Sequence, residues 1–155
     1  MKSIEFNECI KALELLSAER KTGAVIASAT ATLASELPKW GAAKIYQFRA
    51  QALGENGDCA AAIMDYSAAL REMPDSPELH TGRGDIYRRM ENYRQAIRDY
   101  DEVIALRPRA EAAYTARAIA HELAGDFAAA ESDFAEAARL AAVPEVPRAA
   151  SKKSA

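Results

Sequence analysis

The feature of this sequence that most constrains its fold is a unit of 34 residues that repeats without gaps. The clearest copy occupies residues 77–110, and a shift of 34 residues in either direction reaches residues 43–76 and the segment that begins at residue 111. Each copy contains two stretches in which apolar residues recur at helical spacing. Self-similarity at this period is typical of stacked helical hairpins, each of which buries its apolar face against its neighbours.

Equivalent positions in the three copies carry the same kinds of side chain. Small residues recur where two helices would cross closely, an aromatic residue recurs in the second helix, and proline closes two copies. These positions are Ala50, Gly84 and Ala118; Ala62, Ala96 and Ala130; Ala69, Val103 and Ala137; Tyr66, Tyr100 and Phe134; and Pro74 and Pro108. The pattern resembles the tetratricopeptide repeat over residues 43 to about 142. The resemblance implies an all-α fold, a right-handed superhelical solenoid of helix-turn-helix repeats.

The expected repeats are residues 43–76, 77–110 and 111–143. Their helices are predicted at about 43–55 and 59–72, 77–90 and 93–106, and 111–124 and 127–141. Asn56-Gly57 and Gly125-Asp126 suit the turns between paired helices, and Asn92 is expected to take the corresponding turn in the second repeat. Ser76 can cap the helix that begins at Pro77. Residues 144–155 lack an apolar period and are predicted to be a disordered tail.

Residues 1–42 are expected to form an N-terminal helical pair. A helix over 3–20, ended by Arg20, Lys21 and Gly23, is followed by a helix over 24–37 that has no charge before Glu36 and is expected to be covered on more than one side. Pro38, Trp40 and Gly41 indicate a turn, with Trp40 packed on the neighbouring hairpin. A shift of 34 aligns Gly23 with Gly57, which suggests a degenerate repeat that caps the stack. Residues 24–37 could equally be a self-association surface.

Charged residues also recur at the repeat spacing. Three arginines lie in first helices, at a position that is usually apolar in the family that the sequence resembles, and three aspartates lie in second helices. They are Arg49, Arg83 and Arg117, with Asp65, Asp99 and Asp133. We expect each arginine to form a bidentate, structural ion pair with the aspartate of its own repeat.

Composition argues against several classes of function. The net charge of −3 and the lack of a basic stripe argue against nucleic acid as a partner. No signal peptide or membrane span is recognisable, so a cytoplasmic location is expected. Cys9 and Cys59 are interpreted as reduced packing thiols. His80 and His121 are too far apart in the sequence for a metal site and are interpreted as packing residues. No catalytic constellation, metal or cofactor is therefore expected, and an enzyme is not expected either.

The function suggested by the resemblance is that of a protein-interaction scaffold or adaptor, which holds a partner peptide or helix in a concave groove lined by first helices. The expected lining is Lys44, Gln47, Gln51, Glu55, Glu78, Thr81, Asp85, Arg88, Arg89, Thr115, Ile119, Glu122 and Leu123. Ile119 and Leu123 make one end more apolar and are candidate anchors for an apolar side chain of the partner, or are simply exposed.

Some proteins of this family bind chaperone C-termini through a clamp of lysine, asparagine and arginine. The matching positions here are Gln47, Gln51, Gly82, Ala112 and Ala116, so that ligand is not expected. Two alternative functions remain. One is a self-assembling structural protein, joined through residues 24–37 or the last helix. The other is a small cytoplasmic chaperone for secreted proteins.

Overall fold

The computed structural model describes residues 3–142, and within that range it contains eight α-helices and no strand. The helices are α1 (Ser3–Ala18), α2 (Thr22–Leu33), α3 (Lys39–Glu55), α4 (Cys59–Glu72), α5 (Pro77–Arg89), α6 (Tyr93–Leu106), α7 (Glu111–Leu123) and α8 (Phe127–Ala141). Each helix packs mainly against the helices before and after it in the sequence. The fold is therefore an all-α solenoid of helical hairpins, as predicted. The proposed tail at residues 144–155 lies outside the described range.

The helix boundaries in the repeats are confirmed, except for the start of α3. Helices α4, α6 and α8 span the predicted residues, and α5 and α7 end one residue early. The turn predicted at Pro38, Trp40 and Gly41 is wrong, because Pro38 is the N-cap of α3 and its carbonyl accepts a hydrogen bond from the amide of Ala42 (2.8 Å). Gly41 instead permits close packing, since a Cβ there would lie 3.0 Å from Cζ of Phe6.

The first hairpin follows a different stagger from the one predicted. The left-handed backbone between α1 and α2 is at Arg20 (φ 55°), whereas Gly23 is the second residue of α2. Arg20 therefore corresponds to Gly57 (φ 93°), a stagger of 37 residues instead of 34. Most of the additional residues belong to α3, which begins at Lys39, four residues before the position equivalent to the start of α5. Helix α2 ends at Leu33 and not at the predicted residue 37. A strict period of 34 consequently misaligns this hairpin.

Helix α2 packs on both α1 and α3, but its cover is incomplete. Val25, Ala29 and Thr32 are buried on one face, whereas Ala27 and Ala31 are exposed on another. The uncharged sequence therefore includes an exposed face of small residues, and the prediction of cover on more than one side holds only in part.

The turns inside the repeats depend on one position with a positive φ. Gly57 and Gly125 occupy it in the first and third repeats (φ 93° and 85°). In the second repeat Glu91 occupies it (φ 60°), so the assignment of this role to Asn92 is wrong. Asn92 is the N-cap residue of α6, the place that Asp126 holds before α8. The place of this residue after the helix end imposes a positive φ, even on Glu91, a residue type for which this conformation is unfavourable.

Aromatic rings and small residues meet where one repeat contacts the next. The ring of Tyr66 in α4 lies against Gly82 in α5, where an added Cβ would be 2.5 Å from Cζ of the tyrosine. Tyr100 in α6 packs in the same cluster as Ala116 and Ala120 of α7. Both tyrosines are buried. The recurring small residues thus allow successive hairpins to approach until an aromatic ring fills the space between them.

Each of the three arginines bridges three consecutive helices. Arg49, Arg83 and Arg117 each make two hydrogen bonds of 2.7–2.9 Å to the aspartate of the same repeat, which are Asp65, Asp99 and Asp133 respectively. A further guanidinium nitrogen reaches the second helix of the preceding hairpin, at Thr30 (3.1 Å), Ser67 (3.0 Å) and Asp101 (2.5 Å). The three aspartates are buried. Hydrogen bonding to Asp99 raises the pKa of Arg83, so its guanidinium remains charged.

The contact between Gly82 and Tyr66 generates a first prediction. Gly82→Ala should lower the free energy of unfolding by about 1–2 kcal/mol, because overpacking against the buried ring outweighs the better helix propensity of alanine. Gly23→Ala is the matched control: no atom lies within 4 Å of its added Cβ, so it should stabilise the protein by about 0.5 kcal/mol. Urea unfolding measures both. Stabilisation by both substitutions would contradict close packing at Gly82.

The bridging arginines generate a second prediction. Asp99→Ala removes both hydrogen bonds from a mostly buried guanidinium, and breaking such a pair on one side should cost roughly 2–4 kcal/mol and lower the melting temperature by about 5–15 °C. Circular dichroism during heating measures this change. Asp75→Ala, at an exposed loop position, should stay within about 0.5 kcal/mol of the wild type.

A double substitution separates the value of the pair from the cost of leaving a charge without its partner. Replacing Arg83 by methionine and Asp99 by leucine should destabilise the protein less than Asp99→Ala alone, because no buried charge then remains. An unchanged melting temperature for Asp99→Ala would refute the structural role of the pair.

Candidate functional site

A groove runs along the first helices of the repeats. It has a volume of about 610 Å³ and is lined by α3, α5 and the N-terminal end of α7. The structure brings together seven of the residues predicted for the site, which are Gln47, Gln51, Glu55, Glu78, Thr81, Asp85 and Arg89. They meet because positions one helical turn apart project from the same face of a helix. The inner face of the first and second repeats therefore forms most of the groove.

The floor of this groove is apolar and was not predicted from the sequence. Tyr66, Ile86 and Val103 lie there, and Gly54 and Gly82 leave it open. The recurrence of small residues was recognised as a packing signal only. The absence of a side chain at Gly82 lets the helices approach, and it also places the nearly buried ring of Tyr66 at the floor of the groove. This second role of the small residues could have indicated the floor.

A second depression, of about 430 Å³, continues from the first. The two share Gln47 and Glu78, and Lys44 joins the lining here. Its apolar residues come from three hairpins and are Ile10, Trp40, Ala43, Met73 and Leu79. Trp40 is 55% exposed, although its ring packs nearly perpendicular to that of Phe6, with 5.1 Å between the ring centroids. The apolar end of the site thus lies at α1 and α3.

The walls of the groove carry charges of both signs, two of which pair with each other. Arg107 and Glu78 are 2.6 Å apart, and the pKa of Glu78 is lowered by a backbone hydrogen bond and by this arginine. Tyr100 donates a hydrogen bond to Asp85 (2.8 Å). Burial, with a smaller effect of Asp85, raises the pKa of Tyr66 to about 12. The floor therefore stays uncharged at neutral pH, and the walls carry both signs.

Several predicted residues lie outside the two depressions. Arg88 instead contacts Asp85 (3.5 Å) and Tyr100 (3.4 Å). The four residues predicted from the third repeat, Thr115, Ile119, Glu122 and Leu123, line neither depression. Helix α7 reaches the groove only through Ala112 and Ala113, so its later turns are directed elsewhere. The apolar residues of the two depressions lie around Trp40, and the assignment of Ile119 and Leu123 as anchors stays a prediction.

The described residues offer little for metal or acid-base chemistry. Within residues 3–142 no group of three or more potential metal ligands comes together. The ring of His80 is mostly buried, with Nδ1 3.1 Å from Asp99 and Nε2 2.9 Å from the carbonyl of Pro74. His121 lies 3.7 Å from the exposed Asp126. No helix in this part of the chain has the length and apolar character needed to cross a bilayer.

Comparison with known proteins agrees with this architecture. The family model described as tetratricopeptide repeat matches residues 49–90 and 81–147. No curated protein shows significant sequence similarity to the chain.

Three solved structures illustrate the likeness of fold. The first tetratricopeptide domain of Spaghetti (RPAP3), bound to the HSP90 peptide SRMEEVD, is 23% identical, with a TM-score of 0.62 over 65% of this chain and 80% of that one. A tetratricopeptide repeat protein from Parabacteroides merdae is 17% identical, with a TM-score of 0.76 over 84% of this chain and 51% of that one. A MamA RS-1 double mutant is 14% identical, with a TM-score of 0.78 over 87% and 74% of the two chains. The match of the family model and the solenoid architecture together show that this chain belongs to the tetratricopeptide repeat family.

Proposed function

We propose that this protein is a non-catalytic scaffold that holds a segment of a partner protein in the groove. The observation that carries the proposal is the continuity of two depressions over three hairpins, with exposed apolar side chains at one end and polar walls along the rest. A groove built on helices of a rigid stack suits an extended or helical peptide. Binding would bury Trp40 and Met73, which are large apolar residues exposed to solvent.

The chemistry of the groove favours a partner segment with a bulky apolar side chain. Trp40, Met73 and Leu79 form a concave apolar surface of the kind in which interface hot spots concentrate. Farther along, the walls offer amide groups from Gln47 and Gln51, and charges of both signs from Glu55 and Arg89. Such walls can hydrogen-bond a peptide backbone without selecting a strongly charged sequence.

The RPAP3 domain has an acidic HSP90 peptide bound, but the groove here is not suited to a ligand of that kind. Gln47, Gln51, Gly82 and Ala112 line it at positions of the clamp, and none of them is lysine, asparagine or arginine. Ala116, the remaining clamp position, packs against the cluster around Tyr100. With Glu55, Glu78 and Asp85 also on the walls, a peptide with several carboxylates would meet like charges.

Selection from a phage-displayed library of random peptides tests this proposal. Peptides enriched on the full chain should share a bulky apolar residue, and binding should shift the emission of Trp40, the sole tryptophan, to shorter wavelength. Trp40→Ala and Arg89→Glu should each weaken binding of the enriched peptides by about tenfold or more, which corresponds to about 1.4 kcal/mol. Fluorescence anisotropy of labelled peptides measures the affinities.

Arg94→Glu provides the matched control for charge reversal. Arg94 is exposed on α6, and neither depression includes it. The affinity of this variant should equal that of the wild type. Peptides that bind all of these variants equally well, or a library that yields no binder, would contradict the assignment of the groove.

A further inference from the structure

An apolar surface that the groove does not use lies on α8, the last helix of the described residues. A shallow depression of about 480 Å³ is lined there by Glu122, Phe127, Ala130, Glu131, Phe134 and Ala135. Phe127 is 69% exposed and Phe134 is 39% exposed. The two rings are separated by about two helical turns, so they lie on the same face of α8.

The earlier repeats show what kind of surface packs on this face. Tyr66 and Tyr100 occupy the position of Phe134, and they are 3% and 0% exposed because the next first helix covers them with Gly82 and Ala116 respectively. Phe134 is the one member of this aromatic series that solvent still reaches. The face of α8 is therefore shaped to receive a helix that presents small side chains.

Helix α8 itself presents such side chains in its C-terminal half. Ala138 and Ala141 are exposed and lie within about 40° of Phe134 around the helix axis. Large residues thus occupy one half of the face and small residues the other half. We propose that α8 packs antiparallel against α8 of a second copy, which forms a symmetric dimer.

The sizes of the side chains are complementary in this arrangement. A twofold axis beside Phe134 places Phe127 opposite Ala141 of the second copy, because both are seven residues from Phe134. Arg139 is not part of this face, because it lies about 140° around the helix from Phe134 and its guanidinium bonds to Glu136 of the same helix (2.7 and 2.5 Å). A surface that complements itself when inverted is what an isologous interface requires.

The proposed interface is small. The 15 residues of α8 span about 22 Å, so a contact between two such helices lies at the low end of specific interfaces. We therefore expect a reversible dimer with a dissociation constant on the order of micromolar. The groove residues are not part of this surface, so the dimer leaves the proposed peptide site accessible in both copies.

Sedimentation velocity of the full chain, over about a hundredfold range of concentration, tests the dimer. The wild type should shift from monomer to dimer as the concentration rises. Ala138→Glu places a carboxylate opposite Glu131 of the second copy, and it should raise the dissociation constant by about tenfold or more. Adding Glu131→Lys to that variant turns repulsion into attraction, which should restore dimerisation to within about threefold of the wild type.

Two further variants complete the test. Ser132→Glu adds the same charge at about 160° around the helix from Phe134 and should leave the dimer unchanged. Joint replacement of Phe127 and Phe134 by serine should abolish the dimer. Circular dichroism verifies that this double variant keeps its helices. If it unfolds, the result for Ala138→Glu decides whether the dimer forms through α8. A wild type that remains monomeric would overturn the proposal. This holds regardless of whether α8 is covered by residues 143–155, by another protein or by nothing. A dimer that Ala138→Glu leaves intact would overturn it as well.

Discussion

The solenoid depends on the arginine that links three consecutive helices in each repeat. Two of its hydrogen bonds fix the angle between the two helices of its own hairpin, and the third ties that hairpin to the preceding one. A planar guanidinium with directional donors suits this task, whereas an apolar residue at the same position would leave the rotation between hairpins less defined. Because the groove is lined by several hairpins, its curvature depends on this rotation. The arginines therefore influence the binding surface without being part of it.

The same side chains build the core and the groove. The ring of Tyr66 fills the junction between the first and second repeats, and it also forms part of the groove floor. Its burial raises the pKa of the hydroxyl to about 12, so the floor presents a neutral aromatic surface under ordinary conditions. A glycine at position 82 is what brings the backbone of α5 so close to this ring. Substitutions there would change both the stability of the stack and the depth of the groove.

The sequence was sufficient for the periodic part of the structure. A strict period of 34 residues places six helices, and it groups the arginines and aspartates that the structure shows in contact. The first hairpin departs from this period because α3 begins four residues before the position equivalent to Pro77. Its left-handed residue is Arg20, a residue type that gives no signal for a positive φ. Trp40 is predicted in a turn for the same reason, whereas it lies in the first turn of α3. Which turns of α7 reach the groove depends on the rotation between hairpins, and periodicity carries no information about that angle.

The third repeat differs from the others in how it is held together. The buried apolar residues of α7 are all alanines, and in α8 only Leu140 is larger. These side chains bury little apolar area, so the hydrophobic contribution to this repeat is small. Arg117 partly compensates, since it contacts two carboxylates, Asp133 and Asp101, and both raise its pKa.

The third repeat has further apolar side-chain surface, but this surface is exposed to water. This area belongs to Phe127 and Phe134 on the exposed face of α8, whereas Tyr66 and Tyr100, the tyrosines equivalent to Phe134, are buried in the core. A repeat gains this contribution only when a neighbouring helix covers its aromatic residue, because each hairpin buries its apolar face against the next. The stability of the third repeat is therefore coupled to whatever packs on α8, in the same way that the first and second repeats are coupled to their successors.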